Sequence, residues 1–227
     1  YHEHNEAKAT PGLGDRLLAG EDLALLSDAG TPLVSDPGAR LVHAAIAAGV
    51  SVVPVPGASA LLAAIAASGL DAERFTFFGF LPRKGKERTS APDAIGSSPP
   101  TAVLYEARGG VGATLADLAA RAGDRAACVA RELTKQFEEF RRGTVSELAT
   151  YYNEVAPRGE VVILVAGAAP AELDDAELER KAAALRAEGM SVRDVTAELI
   201  KRGMSRNAAY ATARKTENEK RETENES

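Results

Sequence analysis

Apolar and polar positions change period along this chain, and the changes mark its elements. Leu23 to Leu26 is a short apolar run that breaks at Ser27-Asp28-Ala29-Gly30-Thr31-Pro32. The run has the length of a buried strand, and the break reads as a turn. Leu41, Val42, Ala45 and Ile46 then recur at helical spacing, with Asp36 at the N-cap position, Pro37 first in the helix and Gly49 at the left-handed end. A β-branched run from Ser51 to Val55 leads into Pro56-Gly57-Ala58-Ser59-Ala60 and a second apolar helix closing at Gly69. Strand, loop, helix, strand, loop, helix predicts a parallel sheet wrapped by helices. Ligands of such sheets bind beyond the carboxyl ends of the strands. Both predicted strand ends carry Gly, Ser, Thr and Pro in place of bulky side chains, so backbone is available there for a ligand.

The pattern continues with Phe-Thr-Phe-Phe-Gly-Phe-Leu-Pro at 75–82, a buried strand leaving the first α/β unit, residues 1–82. Residues 83–100 read as a basic linker or loop. A second α/β unit spans 101–168, with strands at 102–105, 126–130 and 161–166 and helices at 112–122 and 146–156. Two such units side by side place a cleft between them, suited to a small ligand. Residues 170–215 predict a module of short helices, with Ser191 to Asp194 as a capping box. Such helices either read DNA as a helix-turn-helix or simply pack together. The tail 216–227 repeats Thr-Glu-Asn-Glu without apolar residues and reads as disordered.

Composition narrows the classes. At 227 residues the chain suits one large or two small domains. No apolar run approaches the roughly 20 residues of a membrane span. A net charge of −6 argues against indiscriminate nucleic-acid binding and leaves room for a local basic patch. The lone Cys128 lies inside an apolar run and fits a reducing cytoplasm, the expected location. His2 and His4, two apart with no third ligand nearby, do not make a zinc pattern, and no metal is expected. His43 reads as a packing or surface residue.

The stretches SDAGTPLVSDPG (27–38), VPVPGASA (53–60), FFGFLPRKGKER (77–88), RELTKQFEE (131–139) and RGEVVILVAG (158–167) resemble the ribosomal small-subunit methyltransferase I family. The resemblance runs from His2 to about Arg214. It implies two α/β domains of the tetrapyrrole methylase type (class III methyltransferases) with a small C-terminal helical module. It also implies S-adenosylmethionine (SAM) as cofactor, 2′-O-methylation of a cytidine of 16S rRNA in the decoding centre, the 30S subunit as partner, and a homodimer. Members of the family begin with a further strand, a Thr-Pro-Ile-Gly-Asn-like loop and a Glu-Asp-Thr-Arg motif. None is present here, so the chain is expected to lack an N-terminal βαβ portion that forms part of the cleft. A second departure is at 108–110, where Arg108-Gly109-Gly110 replaces the family's Pro-His-Arg.

By that resemblance Asp28, Ala29, Gly30, Thr31, Pro32 and Val34, with Gly57, Ser59 and Ala60, line the SAM pocket from the first domain. Leu133 and Thr134 approach it from the second. Methyl transfer from a sulfonium is an in-line displacement in which orientation supplies most of the acceleration. A ribose hydroxyl is weakly acidic and profits from a general base, for which Glu106 at a strand end is the candidate. Arg83, Lys84, Lys86 and Arg88, with Lys135, Arg141 and Arg142, form a cluster suited to RNA phosphates. Two rivals remain. A small-molecule (tetrapyrrole) methyltransferase has no need of the basic 83–88 segment. A non-catalytic nucleic-acid-binding module would keep its binding in residues 170–215 alone.

Overall fold

The computed structural model describes residues 1–82, 84–168 and 175–225, with backbone alone for 175 and 216–225. The chain divides into two compact units, Tyr1–Ala168 and Ala169–Ser227. In the first, α1 (Glu6–Leu18), α2 (Ala39–Ala47) and α3 (Ala60–Ser68) precede β1 (Phe75–Phe80), α4 (Lys86–Gly96), β2 (Thr101–Ala107) and α5 (Val111–Ala122). Then follow β3 (Ala126–Arg131), β4 (Glu139–Thr144), α6 (Val145–Glu154) and β5 (Glu160–Val165).

The five strands form one sheet in the order β1-β2-β5-β3-β4. β1 runs parallel to β2, whereas β2–β5, β5–β3 and β3–β4 are antiparallel. The sheet is therefore mixed, not parallel throughout as the strand-helix alternation predicts. β5 sits in its middle, and Val161 to Val165 are buried on both faces, which explains its unbroken apolar run. One face, with Leu104, Val129 and Ile163, packs against Ile95 of α4, Leu115 and Leu118 of α5 and Leu148 of α6. The other face, with Val103, Cys128, Ala130, Val162 and Leu164, is covered by Ala64 and Ile65 of α3. Among the described residues one helix packs on this face against three on the other, and Phe77, Tyr105, Leu133 and Phe140 around it are only partly buried.

Several sequence expectations change. Leu23–Leu26 and Ser51–Val55 take no regular secondary structure and join no ladder among the described residues. Leu26, Val53 and Val55 are 85%, 76% and 87% exposed. β-branched residues favour extended backbone, but a strand exists only beside a partner. The N-cap of α2 is Gly38, not Asp36. At φ 134° a Cβ there would meet Leu25 Cδ2 at 2.5 Å and Leu33 Cδ1 at 2.9 Å. Gly49 and Gly69 do take left-handed conformations after α2 and α3. The basic linker contains α4, held by buried Pro92 and fully buried Ile95, and two anchors three apart among polar residues leave no helical period to read. β4 was not anticipated because Glu-Phe-Arg-Arg-Gly-Thr is polar, and its pairing with β3 makes it a strand.

In the second unit α7 (Asp175–Ala187), α8 (Val192–Lys201) and α9 (Arg206–Asn225) surround Leu178, Ala182, Leu185, Val195, Leu199, Ala209 and Ala213. The Ser191 hydroxyl accepts from the Asp194 N–H at 3.2 Å and donates to its carboxylate at 2.6 Å, capping α8. α9 runs on as helix to Asn225, through most of the predicted disordered tail. Residues 170–174 of the predicted module lie outside the described residues.

Candidate active site

Four segments meet at the rim of the open sheet face. Residues 27–38 form an irregular loop in which the Ser27 hydroxyl donates to the Ala29 carbonyl at 2.7 Å and the Val34 N–H to the Thr31 carbonyl at 3.3 Å. Gly30 (φ 72°), Leu33 (φ 72°) and Ser35 (φ 63°) are left-handed. For Leu and Ser this is strain, which structures retain chiefly where surroundings enforce it and function uses it. The Thr31 hydroxyl donates to the Ala58 carbonyl at 3.1 Å, joining this loop to residues 57–60. Ser59 caps α3 by accepting from the Leu62 N–H, and Ala60 and Leu61 pack onto the sheet. A Cβ on Gly30 would meet nothing within 4 Å, and one on Gly57 would meet only the Val55 carbonyl, at 4.0 Å. Both backbones thus face open space that a ligand can approach closely.

From the second half of the sheet comes the turn after β3, with Glu132 (φ 48°) and Thr134 (φ 65°) also left-handed. It is fastened by the Glu132 N–H to the Glu160 carbonyl at 3.2 Å, by the Thr134 N–H to Glu138 at 2.7 Å, and by Lys135 to Glu132 at 3.0 Å. The Lys135 ammonium, through its hydrogen bond, holds the Glu132 carboxyl below its ordinary value. A side chain at Gly159 would collide with Glu132, so this glycine makes room for the turn. Leu133 packs on the same apolar face as Ala60 and Leu61.

Between the two halves stands Tyr105, near the carboxyl end of β2. Burial raises its phenol pKa, the Leu61 N–H opposes this by hydrogen bonding, and the charges of Asp36 and Glu160 add to the rise. The phenol therefore stays protonated at neutral pH, within reach of Leu61, Asp36 and Glu160. Sequence reading passed over Tyr105 because alternation along β2 is masked by its run of buried residues. The strained residues carry no sequence signal of their own.

The structure brings Gly30, Thr31, Gly57, Ser59, Ala60 and Leu133 into one region, with Asp28, Ala29, Pro32, Val34 and Thr134 in its loops. It does not bring Glu106 there. Glu106 follows Tyr105 on β2 and points to the opposite face, where its carboxylate accepts from the Thr114 hydroxyl at 2.6 Å and the Ala107 N–H at 2.8 Å. The candidate base is thus a brace between β2 and α5.

The basic cluster also separates. Arg88 binds Asp117 at 2.7 Å and Thr114 at 3.3 Å. Arg141 lies 3.7 Å over the Tyr151 ring and pairs with Glu139. Arg142 donates to the Ser68 carbonyl at 3.0 Å and to that of Ala67, satisfying the C-terminal end of α3. Lys135 pairs with Glu132 and Glu160. Lys84 and Lys86 are exposed, and Arg83 lies outside the described residues.

A family model that matches most of the chain defines its class as that of a methyltransferase. Residues 2–149 match the family described as Tetrapyrrole (Corrin/Porphyrin) Methylases. The fold also resembles the crystal structure of the methyltransferase CobJ, with a TM-score of 0.54 at 20% identity over 72% of each chain. Among sequence relatives, the ribosomal RNA small subunit methyltransferase I of Micromonospora olivasterospora is 44% identical over 94% of this chain and 70% of its own length. That of Mesorhizobium japonicum is 45% identical over 83% of this chain and 65% of its own. That of Synechocystis is 39% identical over 92% and 71%. The chain belongs to the ribosomal RNA small subunit methyltransferase I family and spans about two thirds of the length of these relatives.

Proposed function

We infer that this chain is a SAM-dependent methyltransferase of small-subunit ribosomal RNA, with its cofactor at the open rim. Family membership supports the reaction class. The observation that carries the location is the Thr31–Ala58 hydrogen bond, which joins the two loops assigned to SAM beside Tyr105 and Leu133. The residues present suit that cofactor: Gly30 and Gly57 leave room for an adenosine, while Thr31 and the exposed loop amides match its polar edges. When bound, SAM supplies an electrophilic methyl group. The chain's own residues orient it, and the apolar floor of Ala60, Leu61 and Leu133 excludes water from one side.

For the finer reading we propose that the acceptor is a cytidine 2′-hydroxyl within the 30S subunit, that the protein works as a homodimer in the cytoplasm, and that no metal takes part. Glu106 is not assigned the proton transfer, since both its oxygens are engaged on the far face. The test uses tritiated SAM and 30S subunits, followed by alkaline hydrolysis of the RNA. A 2′-O-methyl group blocks cleavage at its own phosphodiester, so label in an alkali-stable dinucleotide supports the reading. Label released as a mononucleotide would mean base methylation and sink it. Methylation of a tetrapyrrole and not of RNA would favour the rival enzyme.

A further inference from the structure

In an unbroken strand Phe77 and Phe80 would project to opposite faces, because side chains alternate. β1 is not unbroken. Phe77 pairs with Val103, Gly79 with Leu104 and Phe80 with Tyr105, so Phe78 is the extra residue of a bulge. Gly79 absorbs the irregularity at φ 63°. The bulge turns Phe80 onto the face that Phe77 already occupies. Both rings then flank Tyr105, at centroid separations of 4.9 Å for Phe77 and 5.5 Å for Phe80.

The three rings differ in exposure. Phe77 and Tyr105 are half-buried against the open-face core, while Phe80 is 57% exposed. A single exposed apolar side chain ordinarily needs no explanation. This one is re-aimed by a bulge, backed by two rings and set at the carboxyl ends of the parallel pair β1–β2. Tyr105 packs on the same apolar cluster as Ala60 and Leu61 at the start of α3, next to residues 57–60. Exposed Lys84 and Lys86 lie four and six residues further along the chain.

We propose that Phe80, backed by Tyr105 and Phe77, is the stacking platform for an unpaired base of the RNA substrate, holding that nucleotide's ribose toward the open rim. The inference rests on the rRNA reading above and adds the residue that positions the acceptor. An aromatic face followed by cationic side chains is the combination that binds single-stranded RNA, since every base offers a π-face and every linkage a phosphate. Phe80 is a positioning residue and takes no part in bond making.

The chain contains no tryptophan, so Phe80→Trp introduces a single fluorescent reporter at the platform. The probe is a short oligocytidylate RNA carrying a 3′ dye, with an abasic strand of equal length as control. Binding is followed by anisotropy and stacking by tryptophan quenching. The expected result is quenching by the oligocytidylate and none by the abasic strand. Phe80→Ala should weaken oligocytidylate binding roughly tenfold, with Phe80→Trp restoring it. S-adenosylhomocysteine affinity should be unchanged in both variants, which also reports that they are folded. RNA binding without quenching overturns the platform and leaves the rRNA reading standing. Tryptophan emission that shifts with protein concentration in the absence of RNA assigns the ring to a second copy and overturns the proposal. Binding of S-adenosylhomocysteine with no RNA binding by the unchanged chain overturns both readings and favours a small-molecule acceptor.

Discussion

Thr31 shows how little of the site depends on bulky groups. Its hydroxyl ties the 27–38 loop to residue 58, while the glycines on either side leave the backbone bare. Thr31→Val keeps the shape and removes the bond. A neutral hydrogen bond contributes about 0.5–1.5 kcal/mol net, so SAM affinity by calorimetric titration should fall by about tenfold or less. Unchanged affinity would mean that the two loops are held together by other contacts. Glu139 makes the residue-scale prediction for pH. Burial would raise its carboxyl, but Arg131 at 2.7 Å and Arg141 at 3.0 Å outweigh that and hold it below its ordinary value. A carboxyl depressed in the folded state contributes stability that is present above its unfolded pKa and lost as pH falls through the folded one. Denaturant midpoints should therefore show the parent chain more stable than Glu139→Gln at neutral pH. The gap should close in acid, and a gap constant with pH would contradict the assignment.

Elements depend on positions that their own sequences barely advertise. β1 reaches the site through its bulge, and the left-handed Gly79 within a phenylalanine-rich strand was the one visible sign of it. Gly79→Ala should cost about 1 kcal/mol or more in thermal or denaturant unfolding, because a Cβ is disfavoured at φ 63°. Its Cβ would also stand 3.4 Å from Ser35 Oγ, so the 27–38 loop is packed directly on the bulge. α3 depends on an element far away in sequence. Arg142 of β4 caps its last carbonyls, and charged hydrogen bonds of this kind are worth about 1.5–3 kcal/mol. Arg142→Ala should lower stability by that order while RNA affinity, measured by filter binding or anisotropy, changes little. A large loss of RNA affinity at unchanged stability would return Arg142 to the phosphate-binding set. β4 and α4 were illegible because each is held by tertiary contacts: strand pairing in one case, buried Pro92 and Ile95 in the other.

At the scale of the molecule, the sheet separates structure from chemistry. One face is closed by α4, α5 and α6, and the face under α3 keeps a rim of partly buried side chains. SAM titrated into the chain should bind at this rim, and Leu133→Asp, which puts a charge on its apolar floor, should abolish the heat of binding. Retained binding would move the cofactor elsewhere. The sequence by itself determined the helices with clean periods and glycine ends, the buried strands β2, β3 and β5, the family, and the loops that carry its motifs. These are legible because local periodicity and turn chemistry act over a few residues. The tertiary structure alone decided that the sheet is mixed, that Glu106 braces the far face, that Arg88, Arg141 and Arg142 are internal ties, and that a bulge aims Phe80. Strand direction, face and ion-pair partner are set by contacts between residues distant in the chain, and no local pattern encodes them.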